Sequence, residues 1–593
     1  MKHYSLRIYQ GLLLLLAAVP CGIPFRYPPN PVFPSELAAY ILCGLLILSA
    51  ALLPVHSSAS AERRSGLPLM SLPWFLLAAI IAVQIVALPV YYWSERTIPM
   101  SYLIGAGFTV WSLSKARDEF GLEPLVEALA WGLLVGALFN SGTAVPQMIS
   151  VIKHGYGLVF GNIGQKNMYG HYLAWGIAAA AYLMAGRKLP GWAWALMVSW
   201  LAISTAWCGS RSVFMYVGAW LVFGGTLFFT TRDFNRRFGA YLFGSAVLMI
   251  VAQFVAPLIS DVIQLLINSR NAVPTGLTRL DSNGARRLVE WHKAWTTFTE
   301  HPLLGVGWGG YGAQSVRLQV IPQYAKVEES VLFTHCHNSL LNLLAETGIA
   351  GALVVVVPII AAFVGLWRRR HQAVTVFAAA LVIVSVLHSL VEYPLWYFHF
   401  FGPFAIMLFF MFDRPSLGED STLVVRSVST LAGVIVMALG ITGALYYIKL
   451  YPIMDTSTKP GENERRMHLL QNMRLNPLVD YFAEFGLSNF ITASRTDSAY
   501  SLGIVSRLNA IHPYPGQLSD ESIMLALTGG DMALAHTRMR QAVFAFPESL
   551  GYYRNEISKY PHEPNVQALL KDVEDGEVMF GKRAYDPNED DGD

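Results

Sequence analysis

The chain is short of charge and of cysteine. Only 14% of its 593 residues are Asp, Glu, Lys or Arg, against 54% hydrophobic, and the mean hydropathy is +0.42. So few charges cannot cover a water-soluble globule of this length. The net charge of +2 gives no broad basic field, which argues against a nucleic-acid partner. The four cysteines, Cys21, Cys43, Cys208 and Cys336, lack the spacing of a metal module. A Cys208–Cys336 disulfide is left open, because sequence does not give the Cα separation that such a bond requires. Alternation is missing too: the apolar runs are continuous, which excludes a membrane barrel.

What is present are windows of about 20 apolar residues, enough to cross about 30 Å of hydrocarbon as helix. They predict an all-α, polytopic membrane bundle with about thirteen spans, near 7–22, 36–54, 70–92, 99–115, 124–141, 169–186, 190–207, 212–230, 239–259, 347–367, 373–391, 397–413 and 424–448. The first run ends in "AVPCG", a poor cleavage site, and is expected to be retained. Arg63–Arg64, Lys115 with Arg117, Arg187–Lys188, Arg232 with Arg236–Arg237, and Arg368–Arg369–Arg370 fall at every second connection, on the face of Lys2 and Arg7. Positive charge marks the cytoplasmic side, so the N-terminus is predicted inside.

The expected organisation is 1–259 transmembrane, 260–346 a large outer loop, 347–450 transmembrane, 451–585 an outer helical domain and 586–593 an acidic tail. In the helical domain "LNP", "IHP" and "AFP" recur about every 35 residues, close to the tetratricopeptide period. "ALAHTRMRQAVFAFPE" reads as the second helix of one such unit, with an irregular helical cap as the alternative.

The large loop ends in "HCHNSLLNLLAETGIAG", residues 335–351, where titratable groups meet the next apolar run. Read as helix from His337, the sequence puts His337, Leu341, Leu344 and Gly348 on one side and Glu346 roughly opposite, so His337 and Glu346 are not expected to pair. Gly348 and Gly351 would admit a helix or a lipid chain at close range. A histidine at headgroup depth can serve as a base near neutral pH or donate to an anion. An ordinary hydrogen-bonded interfacial histidine is the plainer alternative, and a zinc site at His335-Cys336-His337 lacks further ligands.

Arg211 in "CGSRS" and Arg286–Arg287 in "NGARRLVEWHKAW" fall on the face that should be poor in cations. Guanidinium forks match phosphate oxygens, so these arginines fit a diphosphate. Pairing with carboxylates such as Asp281 or Glu290 is the alternative.

"HNSLLNLLAETGIAG", together with "RRLVEWHKAWTTFTEHPLLGVGWGGYG" before it, resembles the signature of the bacterial O-antigen ligase, polymerase and O-oligosaccharyltransferase superfamily. "GNIGQKNMYGHYLA" at 161–174 and "EYPLWYF" at 392–398 resemble the protein O-oligosaccharyltransferases, the pilin-glycosylating branch. The resemblance implies an inner-membrane enzyme with a periplasmic site and C-terminus, requiring no metal or cofactor. It would move a glycan from undecaprenyl diphosphate, with inversion, to serine or threonine of a periplasmic acceptor such as pilin. By the same resemblance His337 is catalytic, Arg211, Arg286 and Arg287 hold the diphosphate, and Gln165, Tyr393 and Asn338 position substrate. Transfer to lipid A core, or O-antigen polymerisation, are the alternatives within the superfamily. A secondary transporter is the rival from another class, but no ionisable pairs recur at mid-span in two halves.

Overall fold

A computed structural model describes residues 2–54, 63–279, 285–328, 330–412, 416–496 and 498–584. The acidic tail 586–593, Asp281 and the side chains of Arg63 and Arg64 lie outside the described residues.

Backbone polar groups cannot stay bare in hydrocarbon, so an apolar run must close its own hydrogen bonds as helix. A helix lies at every predicted position, from Lys2–Gly22 to Thr422–Leu450. Among the described residues, eight helices rather than thirteen are long and apolar enough to cross a membrane. Ala373–Ser389 and Phe398–Met411 are apolar but shorter. Lys166–Ala185 shows why apolarity is not demanded everywhere. From Met168 to Leu183 every side chain is buried, including His171, so its neighbours are other helices rather than lipid. Asp233–Ile267 runs 35 residues, extending the predicted span eight residues into what was expected to be loop.

The chain forms two compact units, interleaved in sequence. The first comprises Met1–Ala79, Met100–Ser282 and Leu353–Leu445; the second comprises Ile80–Pro99, Asn283–Ala352 and Tyr446–Asp593.

Within the first unit, strands Arg63–Pro68 and Ser416–Ser421 pair antiparallel, a hairpin-like ladder that helical periodicity gave no reason to expect. Lys115, expected to mark topology, is fully buried there, with Nζ 2.6 Å from Asp420 and 2.8 Å from the Gly66 carbonyl.

Within the second unit the helices from Glu462–Met473 to Leu570–Phe580 form an array closed by two hydrophobic clusters. Pro515–Thr528 and Met532–Ala545 make a helical hairpin. Gly529 in the left-handed region ends the first helix, and Asp531 Oδ1 caps the second by accepting from Leu534 N at 3.0 Å. The array is joined to the rest of its unit by Tyr92 Oη donating to Glu484 at 2.8 Å and by Trp93 and Ser94 N donating to Asp480 at 2.6 and 3.0 Å.

Candidate active site

In the second unit His337 is not on a helix. Its φ is +55°, in the left-handed region, where non-glycine residues are uncommon and are held only by their surroundings. The helix begins at Ser339, so the helical phase expected between His337 and Glu346 does not apply. Asn338, predicted to position substrate, caps that helix. Its Oδ1 accepts from Leu340 N and Leu341 N, each at 3.1 Å. On the other side Cys336 N donates to Asn342 Oδ1 at 3.0 Å, and Cys336 Sγ donates to the Asn338 carbonyl at 3.2 Å. Trp291 Nε1 donates to the His337 carbonyl at 3.3 Å. The imidazole, half-buried, lies 5.4 Å from the Phe333 ring.

Further along, Ser339–Arg369 kinks at Gly348, where φ is +63°. What approaches Gly348 is neither a helix nor a lipid chain, as its spacing from Gly351 suggested, but the loop that begins at Pro302. Ile349 N donates to the Pro302 carbonyl at 2.9 Å, Val306 N to Ala345 at 2.9 Å and Gly307 N to Glu346 at 3.0 Å. Gln84 Nε2 clamps the seam, donating to the Leu304 and Glu346 carbonyls at 2.7 Å each. A Cβ on Gly348 would stand 2.3 Å from the Leu303 carbonyl carbon, so no other residue fits.

Arg286 and Arg287 open the helix Ala285–Glu300; Arg286 is exposed and Arg287 half-buried. Arg287 and Trp291 are four residues apart and share a helical flank, the one whose indole holds the His337 carbonyl. Glu290, the alternative partner for the arginines, is fully buried and engaged elsewhere. It accepts from Lys293 Nζ at 2.6 Å, Tyr311 Oη at 2.7 Å and Ser315 Oγ at 2.9 Å. Burial, with His337 and His512 nearby, pulls His335 down to about 3, and burial pulls His512 down to about 4, so both are neutral near pH 7.

In the first unit three stretches far apart in sequence meet at Asn167. Its Nδ2 donates to Glu392 Oε1 at 2.7 Å, and its Oδ1 accepts from Ser210 Oγ at 2.7 Å. Ser210 and Ser212 hydroxyls are 2.7 Å apart, and Tyr216 Oη donates to Ser212 at 3.1 Å. Arg211, half-buried, is thus held between two bonded serines. Gln165 caps the helix Lys166–Ala185, its Oε1 accepting from Met168 N at 2.7 Å. Tyr393 follows Glu392, its ring 5.7 Å from that of Tyr397. Burial and the adjacent carboxylate raise its phenol, which stays protonated and able to donate. Cys208 and Cys336 each carry a thiol bonded within their own unit, Cys208 to the Thr205 carbonyl at 3.0 Å.

Residues 195–356 match the family described as O-Antigen ligase, a segment holding Arg211, Arg286, Arg287 and the whole His337 to Gly348 signature. Over this segment the chain is similar to the O-antigen ligase superfamily. Residues 376–575 match the family described as Virulence factor membrane-bound polymerase, C-terminal. The chain is 23% identical over 433 residues to the General O-oligosaccharyltransferase of Acinetobacter baylyi (strain ATCC 33305 / BD413 / ADP1), covering 68% of this chain and 70% of the relative. It is 22% identical over 338 residues to the ComP-specific O-oligosaccharyltransferase of the same strain, covering 56% and 59%. The ligase match and the two O-oligosaccharyltransferase relatives support a multi-pass membrane glycosyltransferase similar to that branch of the superfamily.

The superfamily signature acquires a physical meaning from this geometry. The histidine turns in the left-handed region, the asparagine caps, and the glycine at 348 admits a loop. Of the predicted residues, His337, Asn338, Arg286 and Arg287 are in the second unit and Arg211, Gln165 and Tyr393 in the first. Asn167 and Glu392 were missed as a pair although both stood in quoted stretches; the available signal was two polar side chains beside apolar runs. Trp291 and Asn342 gave no signal, because their work is on backbone atoms distant in sequence.

Proposed function

We propose that this protein transfers an oligosaccharide en bloc from undecaprenyl diphosphate to a serine or threonine hydroxyl of a periplasmic protein such as a pilin. The observation that carries the reading is His337, held in a left-handed turn at the Ser339 end of a highly apolar helix, with Arg287 on the flank of the indole that holds it. A lipid-borne diphosphate is presented at the boundary of such a helix, and the ComP specificity in one relative's name favours a protein hydroxyl here.

In this reaction the acceptor oxygen bonds to the anomeric carbon as the bond from that carbon to the diphosphate oxygen breaks, with inversion. The hydroxyl proton passes to the His337 imidazole, and the electron pair leaves with the polyprenyl diphosphate. Arg287, Arg286 and Arg211 neutralise the charge that builds on the leaving group, and Gln165 and Tyr393 orient sugar or acceptor. The guanidinium groups take the place of a metal in neutralising the diphosphate, as the family resemblance implies. The enzyme would lie in the bacterial inner membrane with its N-terminus cytoplasmic and the site and C-terminus periplasmic.

Transfer to lipid A core is the second reading, favoured by the ligase match over residues 195–356. Reconstitution with lipid-linked oligosaccharide and two acceptors, a pilin-like protein and lipid A core, decides between them by which gains sugar. Sugar on neither acceptor would sink both. Arg211→Lys, a point charge in place of a fork, is expected to cost about tenfold in transfer. Full activity of that variant assigns Arg211 to structure.

A further inference from the structure

We infer that Trp291 and Asn342 are positioning residues for His337, acting through its backbone rather than on substrate. The inference rests on the reading of His337 as the acceptor's base. A base is useful only if its imidazole stays within hydrogen-bond reach of the hydroxyl it serves, and a left-handed residue relaxes to other backbone angles unless it is pinned on both sides.

The pins are specific. Asn342 Oδ1 accepts from Cys336 N at 3.0 Å, fixing the peptide that enters Cys336, one residue before His337. Trp291 Nε1 donates to the His337 carbonyl at 3.3 Å, fixing the peptide that leaves it. Asn342 is fully buried on the first turns of Ser339–Arg369, and Trp291 lies on Ala285–Glu300, so two helices hold one residue between them. The arrangement also explains why the stretch around Trp291 precedes the His337 signature: the first supplies the donor that shapes the second. Neither of these contacts uses the imidazole.

The test uses the full chain in proteoliposomes with lipid-linked oligosaccharide and a pilin-like acceptor. Trp291→Phe keeps the aromatic bulk and removes the N–H; Asn342→Leu keeps the volume and removes the acceptor. Each is expected to lower kcat about ten- to a hundredfold, the scale of a small misplacement of a reacting group, with donor KM within about twofold; Asn342→Leu also leaves the buried Cys336 N–H unpaired and lowers the unfolding temperature, which Trp291→Phe changes little. Added to His337→Ala, neither is expected to lower the residual rate further, because each acts through the imidazole. Unchanged kcat in both single variants overturns the inference, as does an equal fall in the presence and absence of His337. An inert His337→Ala beside fully active Trp291→Phe and Asn342→Leu removes the positioning role and leaves the catalytic reading standing. A fully active His337→Ala removes both.

Discussion

The two clusters are built by opposite means. Around Asn167, in the first unit, side chain bonds to side chain: amide to carboxylate, hydroxyl to amide, hydroxyl to hydroxyl. Around His337, in the second, nearly every bond ends on backbone: indole to carbonyl, peptide N–H to Asn342, and three peptide N–H groups crossing from one segment to the other at the Gly348 kink. A network of side chains depends on the identity of each member. A backbone seam depends instead on the few positions where a Cβ would block it.

The largest expected effect is at the residue both readings turn on. His337→Ala should leave the protein inserted and lower transfer about 10²- to 10⁴-fold, the usual value of a general base, scored as glycan on a co-expressed pilin. Normal glycosylation would take His337 off the catalytic list. Gly348→Ala comes next and attacks the seam itself. Left-handed strain alone costs about 1–3 kcal/mol, and the new methyl meets the Leu303 backbone at 2.3 Å. Both the unfolding temperature and transfer should fall. A wild-type melting curve would show that the loop is not fastened there.

Asn167→Leu tests the other construction. It removes the donor to Glu392 and the acceptor from Ser210 at once, at a cost of about 1–3 kcal/mol, while the His337 seam is untouched. The measurable sign is a lower unfolding temperature with a weaker donor KM; an unchanged melting curve and KM would show that the Asn167 network fastens nothing.

The smallest effect is in pH. His335 and His512 sit at about 3 and about 4, below the ordinary histidine value near 6.5. The unfolded chain therefore binds protons that the fold refuses between about pH 6.5 and 3, so stability is full above that window and declines as pH falls through it. The unfolding temperature of the detergent-solubilised protein should drop modestly between pH 7 and 4.5, and less in His512→Gln. An equal drop in that variant would clear His512 of any part in it.

Much of this was legible in advance, and the reason is local. A run such as "GIAGALVVVVPIIAAFVGLW" carries its own free energy of transfer, summed over neighbouring residues, so helix and membrane follow without knowledge of the rest. The residue types at the site were legible for a similar reason: arginine suits phosphate and histidine suits proton transfer wherever they stand. The sequence could not show that Lys115 would be buried against a strand pair, because Asp420 lies 305 residues away. Nor could it show Asn167 meeting Glu392 across 225 residues.

By itself, then, the sequence determined that the chain is a helical membrane protein and which side-chain types stand where phosphate binding and proton transfer could use them. Only tertiary structure decided that His337 leaves the helix for a left-handed turn, that Asn338 and Gln165 cap helices, and that a loop seals Gly348. Apolar burial is additive and read within one turn of helix. Hydrogen bonds that fix a single backbone angle join partners that become neighbours only after folding.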